Sequence, residues 1–161
     1  MKNFDAVVVG AGTGGCLTAK TVAEAGFQVC LIDRKGEEVC GDAIGKHHFD
    51  GLGLEHPMGK ELERKITGIK IYSPNMEIVI DVKGEDLHGY IVNRRLFGQR
   101  LLKEAIKAGA TLLESTQAVE PIIKDHFVNG VLARNVETGN NVSVFGQVVV
   151  DASGFSAVLQ K

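Results

Sequence analysis

Three glycines, Gly10, Gly12 and Gly15, are spaced as GxGxxG between two patterned stretches. Before them stands a short β-branched run, Phe4 to Val9. After them Ala19, Val22 and Ala23 recur at helical spacing until Gly26 stops the helix. Few folds accept that order. The first glycine permits a tight turn, the second lets a backbone approach a pyrophosphate, and the third lets helix and strand pack closely. A second buried run, Gln28 to Ile32, completes a strand, helix, strand unit whose two strands are predicted to be parallel. The chain therefore opens as a Rossmann-type α/β sheet.

The free N–H groups at such a helix start face phosphate charge. Asp33, at the end of the second run, is placed to accept hydrogen bonds from an adenosine ribose, and an acid there disfavours a 2′-phosphate. The motif itself does not separate FAD from NAD.

Composition narrows the class further. The 161 residues are 44% hydrophobic and 24% charged, which predicts one globular domain with a real core. Net charge is −2, and neither sign forms a long run, so there is no electrostatic case for nucleic acid or an acidic membrane. The apolar run Ala6 to Val9 is too short to span a bilayer, and Asp5 stands where a signal peptide needs apolar residues. A cytoplasmic protein is predicted. The three cysteines, Cys16, Cys30 and Cys40, lack CxxC spacing and are odd in number, which predicts free thiols. His47, His48 and His56 form no i, i+4 pair, and no metal site is predicted from them.

Farther along, residues 46–52 read as one or two helical turns. Ile69 and Ile71 alternate with polar neighbours, as do Met76, Ile78, Ile80 and Val82, on either side of Ser73-Pro74-Asn75. A hairpin over about 66–82 is predicted, within a β-rich insertion at 54–92. Asn93 caps a helix running to Ala108, with Phe97, Leu101, Leu102, Ala105 and Ile106 on its buried face and Gly109 as its stop. Strands are predicted at 111–115, 127–135 and 141–145. A last apolar run, Val148 to Val150, ends in Asp151-Ala152-Ser153-Gly154, as though a further backbone edge were brought to the same ligand. Arg94 stands at a strand-to-helix junction. The loop Val39 to Asp50 holds a thiol, Cys40, that fold logic does not demand.

On the GxGxxG start with Asp33, the Cys40-Gly41-Asp42 loop, the Asn93-Arg94-x-x-Phe97 junction and the terminal Asp151-Ala152-Ser153-Gly154, the chain resembles the archaeal geranylgeranyl reductases. These flavoproteins, of the digeranylgeranylglycerophospholipid reductase kind, are related in fold to p-hydroxybenzoate hydroxylase. The resemblance covers essentially the whole chain. It implies a three-layer, mostly parallel FAD-binding domain over 1–161 with an inserted hairpin. It also implies that this is the N-terminal portion of a much longer enzyme, whose remainder holds the tunnel for the prenyl chains.

By the same resemblance, FAD lies with its adenosine at Gly10, Ala11, Gly12, Thr13, Gly14, Gly15 and Asp33, and Arg34 also binds the cofactor. Ala118 lies by the adenine, and Asp151 and Gly154 lie near the ribose and pyrophosphate. Cys40, Gly41, Asp42, Ala43 and Arg94 are placed farther along the cofactor, with Arg95, Gln99 and Arg100 as competitors of Arg94. The implied reaction saturates C=C double bonds of geranylgeranyl chains in archaeal membrane lipid precursors, with hydride from reduced flavin. Such an alkene has no group to hold negative charge, so a proton must arrive before or with the hydride. A thiol with a reference pKa of about 8.5 is mostly protonated near neutral pH. Cys40 is thus the candidate donor; the alternatives are a relay from water or Asp42, and a Cys40 that only fills space against the flavin.

The implied partners are a prenylated lipid, an electron donor that is NAD(P)H or ferredoxin, and the membrane surface where the lipid resides. Two other readings stand beside this one. The first is a flavin-dependent aromatic hydroxylase of the same fold, and the second is a non-catalytic dinucleotide-binding module.

Overall fold

In chain order the elements are β1 (Lys2–Val9), α1 (Thr13–Glu24), β2 (Val29–Ile32), β3 (Ala43–Gly45), α2 (Lys46–Leu52), β4 (Leu62–Ile66), β5 (Gly68–Tyr72), β6 (Val79–Lys83), β7 (Gly89–Val92), α3 (Arg94–Ala108), β8 (Thr111–Leu113), β9 (Thr116–Lys124), β10 (Phe127–Asn135) and β11 (Asn141–Asp151). The computed structural model describes residues 2–34, 43–84 and 87–160. Cys40, Gly41 and Asp42 lie outside the described residues. Two compact units emerge, one of Met1–Glu38 with Gly98–Lys161 and one of Val39–Phe97.

The first unit is built on a six-stranded sheet in the order β8-β2-β1-β11-β10-β9. The pairings β8 with β2, β2 with β1 and β1 with β11 are parallel, and β11-β10-β9 continues as an antiparallel meander. This is the α/β fold with a mostly parallel sheet that the sequence predicts. Its cause is visible in β1: side chains alternate across a strand, so Val7 and Val9 face one way and Ala6 and Val8 the other. All four are buried, which requires cover on both faces. On one face Val7, Val9, Cys30 and Ile32 cluster with Ala118, Val131, Ala133 and Val144. The other face carries α1, which packs on β1 and β2 through Gly15, Cys16 and Ala19. Burying each valine or isoleucine contributes about 1.5–3 kcal/mol.

Three details differ from the sequence reading. Strand β9 was not anticipated, because Pro121 interrupts its pattern; β9 is the sheet's outer edge, where proline is tolerated. Strand β11 runs unbroken through Gly146 and Gln147 instead of ending at 145. Gly146 there is a close approach and no breaker: a Cβ on it would stand 2.9 Å from Val7 Cγ2. On α3, Phe97, Leu101 and Ala105 are buried as expected, whereas Ile106 is 44% exposed, since it falls one position beyond the stripe they define. Asn93 caps this helix, its Oδ1 accepting from the Leu96 N–H at 3.1 Å.

The second unit holds an antiparallel sheet in the order β3-β7-β4 and the separate β5-β6 hairpin. In the hairpin Ile69 pairs with Val82 and Ile71 with Ile80, which puts these four on one face, while Lys70 pairs with Asp81 on the other. Phe49 of α2 is buried against Phe97 and Tyr90, with ring centroids 5.8 and 5.4 Å away. His56 ties this cluster together: Nε2 faces Asp50 Oδ1 at 3.1 Å, and the Tyr90 hydroxyl lies 2.9 Å from Nδ1. A carboxylate only accepts, so Nε2 carries the hydrogen and, in the neutral ring, Nδ1 accepts from Tyr90. Among the described residues no helix is long and apolar enough to cross a membrane.

Candidate functional site

The ends of β1 and β2 lie side by side, Val9 opposite Ile32, and the turn after β1 is bound to the edge of β2. Gly10 has φ +100° and donates its N–H to the Ile32 carbonyl at 2.8 Å. A Cβ on Gly10 would stand 2.5 Å from the Ala152 carbonyl oxygen, and one on Gly15 only 1.7 Å from that of Gly10. Both glycines are therefore required by close main-chain approach. Gly14 meets nothing within 4 Å. Gly12 is extended, with φ −70° and ψ −176°, and precedes Thr13, the first residue of α1. No side chain caps α1, and its first turn holds no acid, so the positive end of the helix dipole is not neutralised by the helix itself. Inside the helix the Cys16 thiol is buried and donates to the Ala11 carbonyl at 3.1 Å, a structural role.

Asp33 is held from three sides. Its N–H donates to the Leu113 carbonyl at 3.1 Å, and its own carbonyl accepts from Thr116 at 2.8 Å. Its carboxylate Oδ1 accepts from the Ala11 N–H at 3.0 Å. A carboxylate offers several acceptor positions, so this bond leaves capacity for hydroxyl donors.

Gly10, Asp33, Arg34 and Ala118, all singled out from sequence, line one cleft in the first unit. Beside the strand ends Val9 and Ile32, four further lining residues were not assigned to the site from sequence, Thr116, Gln117, Ser156 and Val158. The first two begin the unanticipated strand β9. The buried Thr116 turns its hydroxyl to the Glu114 carbonyl at 2.8 Å, which leaves Gln117 as the polar side chain of that strand at the cleft.

Ser153 also lines the cleft, but Asp151 does not. The Asp151 carboxylate is turned to its own chain: Oδ1 accepts from the Ser153 N–H at 3.0 Å and from the Ser153 hydroxyl, and Oδ2 accepts from the Leu159 N–H at 2.9 Å. Desolvation pushes its pKa up, but the bonds from the Ser153 hydroxyl, the Leu159 N–H and the Ser153 N–H outweigh it. The carboxyl ends below its usual 3.8. Gly154, with φ +68°, opens a 3₁₀ turn, Gly154–Ser156.

Ala43 and Arg94 belong to the second unit. Ala43 is exposed and opens β3 opposite Ile91. Arg94 opens α3, its guanidinium 5.5 Å from the Phe97 ring centroid. Of its competitors, Arg95 is exposed and Arg100 is engaged with Glu104 at 2.8 Å.

A family model described as lycopene cyclase protein matches residues 5–161. A digeranylgeranylglycerophospholipid reductase of Sulfolobus acidocaldarius is 40% identical over 158 residues, which are 95% of this chain and 34% of that protein. A geranylgeranyl bacteriochlorophyll reductase-like protein of Thermoplasma acidophilum matches with a TM-score of 0.85 at 24% identity, over 100% of this chain and 44% of its own. The myxobacterial chondrochloren halogenase, described as a variant of the FAD-dependent halogenases, matches with a TM-score of 0.80 at 22% identity, over 94% of this chain and 37% of its own. The chain thus spans about a third of the length of the curated relative.

Proposed function

Because the chain belongs to the lycopene cyclase protein family, we propose that it forms the FAD-binding portion of a reductase that saturates C=C double bonds of geranylgeranyl chains in archaeal membrane lipid precursors. The observation that carries this reading is the Ala11 to Asp33 hydrogen bond beside the uncapped start of α1. It joins an anion-binding helix end to a carboxylate suited to a ribose within one edge of the sheet. The names of the two reductases support the substrate class, and that of the halogenase supports the flavin.

The residues present fit FAD. Gly10 and Gly15 keep Cβ atoms out of the turn, α1 presents main-chain N–H groups to the pyrophosphate, and Asp33 accepts from the ribose hydroxyls. Gln117 and Ala118 flank the adenine, with Arg34 at the rim. When bound in reduced form, FAD supplies the hydride. The chain would supply the proton: Cys40, three residues before β3 in sequence, would be the donor to the alkene carbon that does not receive the hydride. That assignment rests on the chemistry of an unactivated alkene and on the family's cysteine loop, since Cys40 lies outside the described residues. The segment 54–92 contributes to the substrate portion. The lipid would be met at a membrane surface, and the electron donor would be NAD(P)H or ferredoxin.

Purification followed by denaturation tests the reading, with any released cofactor identified by its visible absorbance and chromatographic mobility. FAD is the expected result, and released NAD overturns it in favour of a dehydrogenase or sensor. If the 161 residues release nothing, the same assay is applied to the full-length product, where the absence of flavin overturns the proposal.

A further inference from the structure

We infer that Asp151 acts as a clasp closing the loop 151–159 against the cleft, and is a positioning residue with no contact to the ligand; this rests on the FAD reading above. The loop is fastened at both ends. At its start the Ala152 N–H donates to the Val9 carbonyl at 2.9 Å, and the Ala152 carbonyl oxygen lies 2.5 Å from where a Gly10 Cβ would stand. At its end Asp151 Oδ2 takes the Leu159 N–H, and the Ser153 hydroxyl, itself donating to Asp151 Oδ1, accepts from the Val158 N–H at 3.0 Å.

Between these ties Ser153, Ser156 and Val158 line the cleft, while Val158 and Leu159 also pack on the sheet's core cluster. Phe155, at the loop's middle, is fully exposed. One carboxylate therefore holds three cleft-lining residues in register with the glycine turn. Every partner it has in this loop is a neutral donor from within nine residues of chain, and its depressed pKa keeps it ionised at neutral pH. Three of its roughly four acceptor positions are taken within the loop, and the carboxylate does not line the cleft. The acid's place beside the ligand is thus explained by what it holds.

The test is titration of the 161-residue chain with FAD, read by flavin fluorescence, for wild type, Asp151→Asn, Asp151→Glu and Ser153→Ala. It is run where circular dichroism shows each variant folded, with amide hydrogen exchange at Val158 and Leu159 in parallel. Asp151→Asn leaves one uncharged acceptor oxygen for the Ser153 and Leu159 donors that two carboxylate oxygens served, and should raise the FAD Kd at least tenfold with loss of Leu159 protection. Asp151→Glu should recover part of both, and Ser153→Ala should deprotect Val158 selectively.

Unchanged Leu159 protection in Asp151→Asn removes the clasp, whatever binds. Lost protection with an unchanged Kd shows that the loop closes without serving the cleft, and overturns the inference equally. If the 161-residue wild type binds no FAD while Asp151→Asn still loses Leu159 protection, the clasp stands and the titration is repeated on the full-length product, where absence of FAD binding overturns the flavin reading.

Discussion

The main-chain N–H of Ala11 donates to Oδ1 of Asp33 across 3.0 Å, so the turn that ends β1 and the acid that ends β2 form one unit. Residues twenty-two apart in sequence meet because two parallel strands finish at the same edge. The carboxylate thus serves the fold and the ligand together, and these roles separate by substitution. In Asp33→Asn the amide oxygen can still accept from Ala11, so thermal unfolding should shift by no more than about 1 kcal/mol. The lost charge should weaken FAD binding about tenfold, since hydrogen bonds to a charged acceptor are the stronger kind. Titration of both forms with FAD checks it; equal affinities would remove Asp33 from the ribose.

The glycines of the turn are not equivalent. Gly15→Ala drives a methyl into the Gly10 carbonyl, a main-chain atom that cannot step aside, and should cost about 3 kcal/mol or prevent folding. Gly14→Ala meets nothing, and replacing a helical glycine by alanine should be neutral or stabilise by up to about 1 kcal/mol. Chemical denaturation of the two variants decides the matter, and similar losses in both would contradict the geometry.

Helices α1 and α3 share an ion cluster in which Lys20 donates to Glu104 Oε2 at 2.9 Å and Arg100 to Oε1 at 2.8 Å. Desolvation raises the Glu104 pKa, but the hydrogen bonds from Lys20 and Arg100 prevail and hold it below 4.5. Lys20 is raised above 10.5, chiefly by its bond to Glu104. A depressed carboxylate contributes stability above its unfolded pKa and loses it as pH falls through the folded value; a raised lysine contributes below 10.5 and loses it as pH rises beyond. Glu104→Gln should therefore cost about 1 kcal/mol at neutral pH. The gap from wild type should close as pH drops below about 4. Melting curves across that range would show a constant gap if the cluster were inert.

The apolar face of the β5-β6 hairpin is open to solvent, with Ile71 53% and Ile80 54% exposed. Uncovered patches of this kind favour association. Ile71→Lys with Ile80→Lys should lower self-association of the isolated 161 residues, as read by sedimentation, while changing unfolding by less than about 0.5 kcal/mol. A large loss of stability would mean that the face is packed in solution.

Cys40→Ser in the full-length enzyme should retain the yellow cofactor and slow alkene reduction about a hundredfold, the usual scale for losing a general acid. Turnover equal to wild type would exclude Cys40 as proton donor.

Much of the architecture was legible because it is encoded in neighbours. Lys46 to Leu52 forms the short helix read from sequence, Asn93 caps α3, and the alternation around Ser73-Pro74-Asn75 becomes β5 and β6. Features that contradict local pattern were not legible. Pro121 disguises β9 and Gly146 seems to end β11, because proline and glycine weigh against a strand until its place in the sheet is known.

The same division runs through the site. Gly10, Gly15 and Asp33 could be recognised from the chain alone, because a tight turn, a helix start and a strand end impose their demands within a few residues. Sequence could not say that Gln117 and Val158 would stand beside them, since strand order and the return of the chain after β11 decide that. Nor could it assign the Asp151 carboxylate. An acid before a glycine turn can meet a ligand or its own backbone, and the choice depends on where the Leu159 N–H comes to rest. Local sterics are written in sequence; hydrogen-bond partners far along the chain exist only once burial has brought them together.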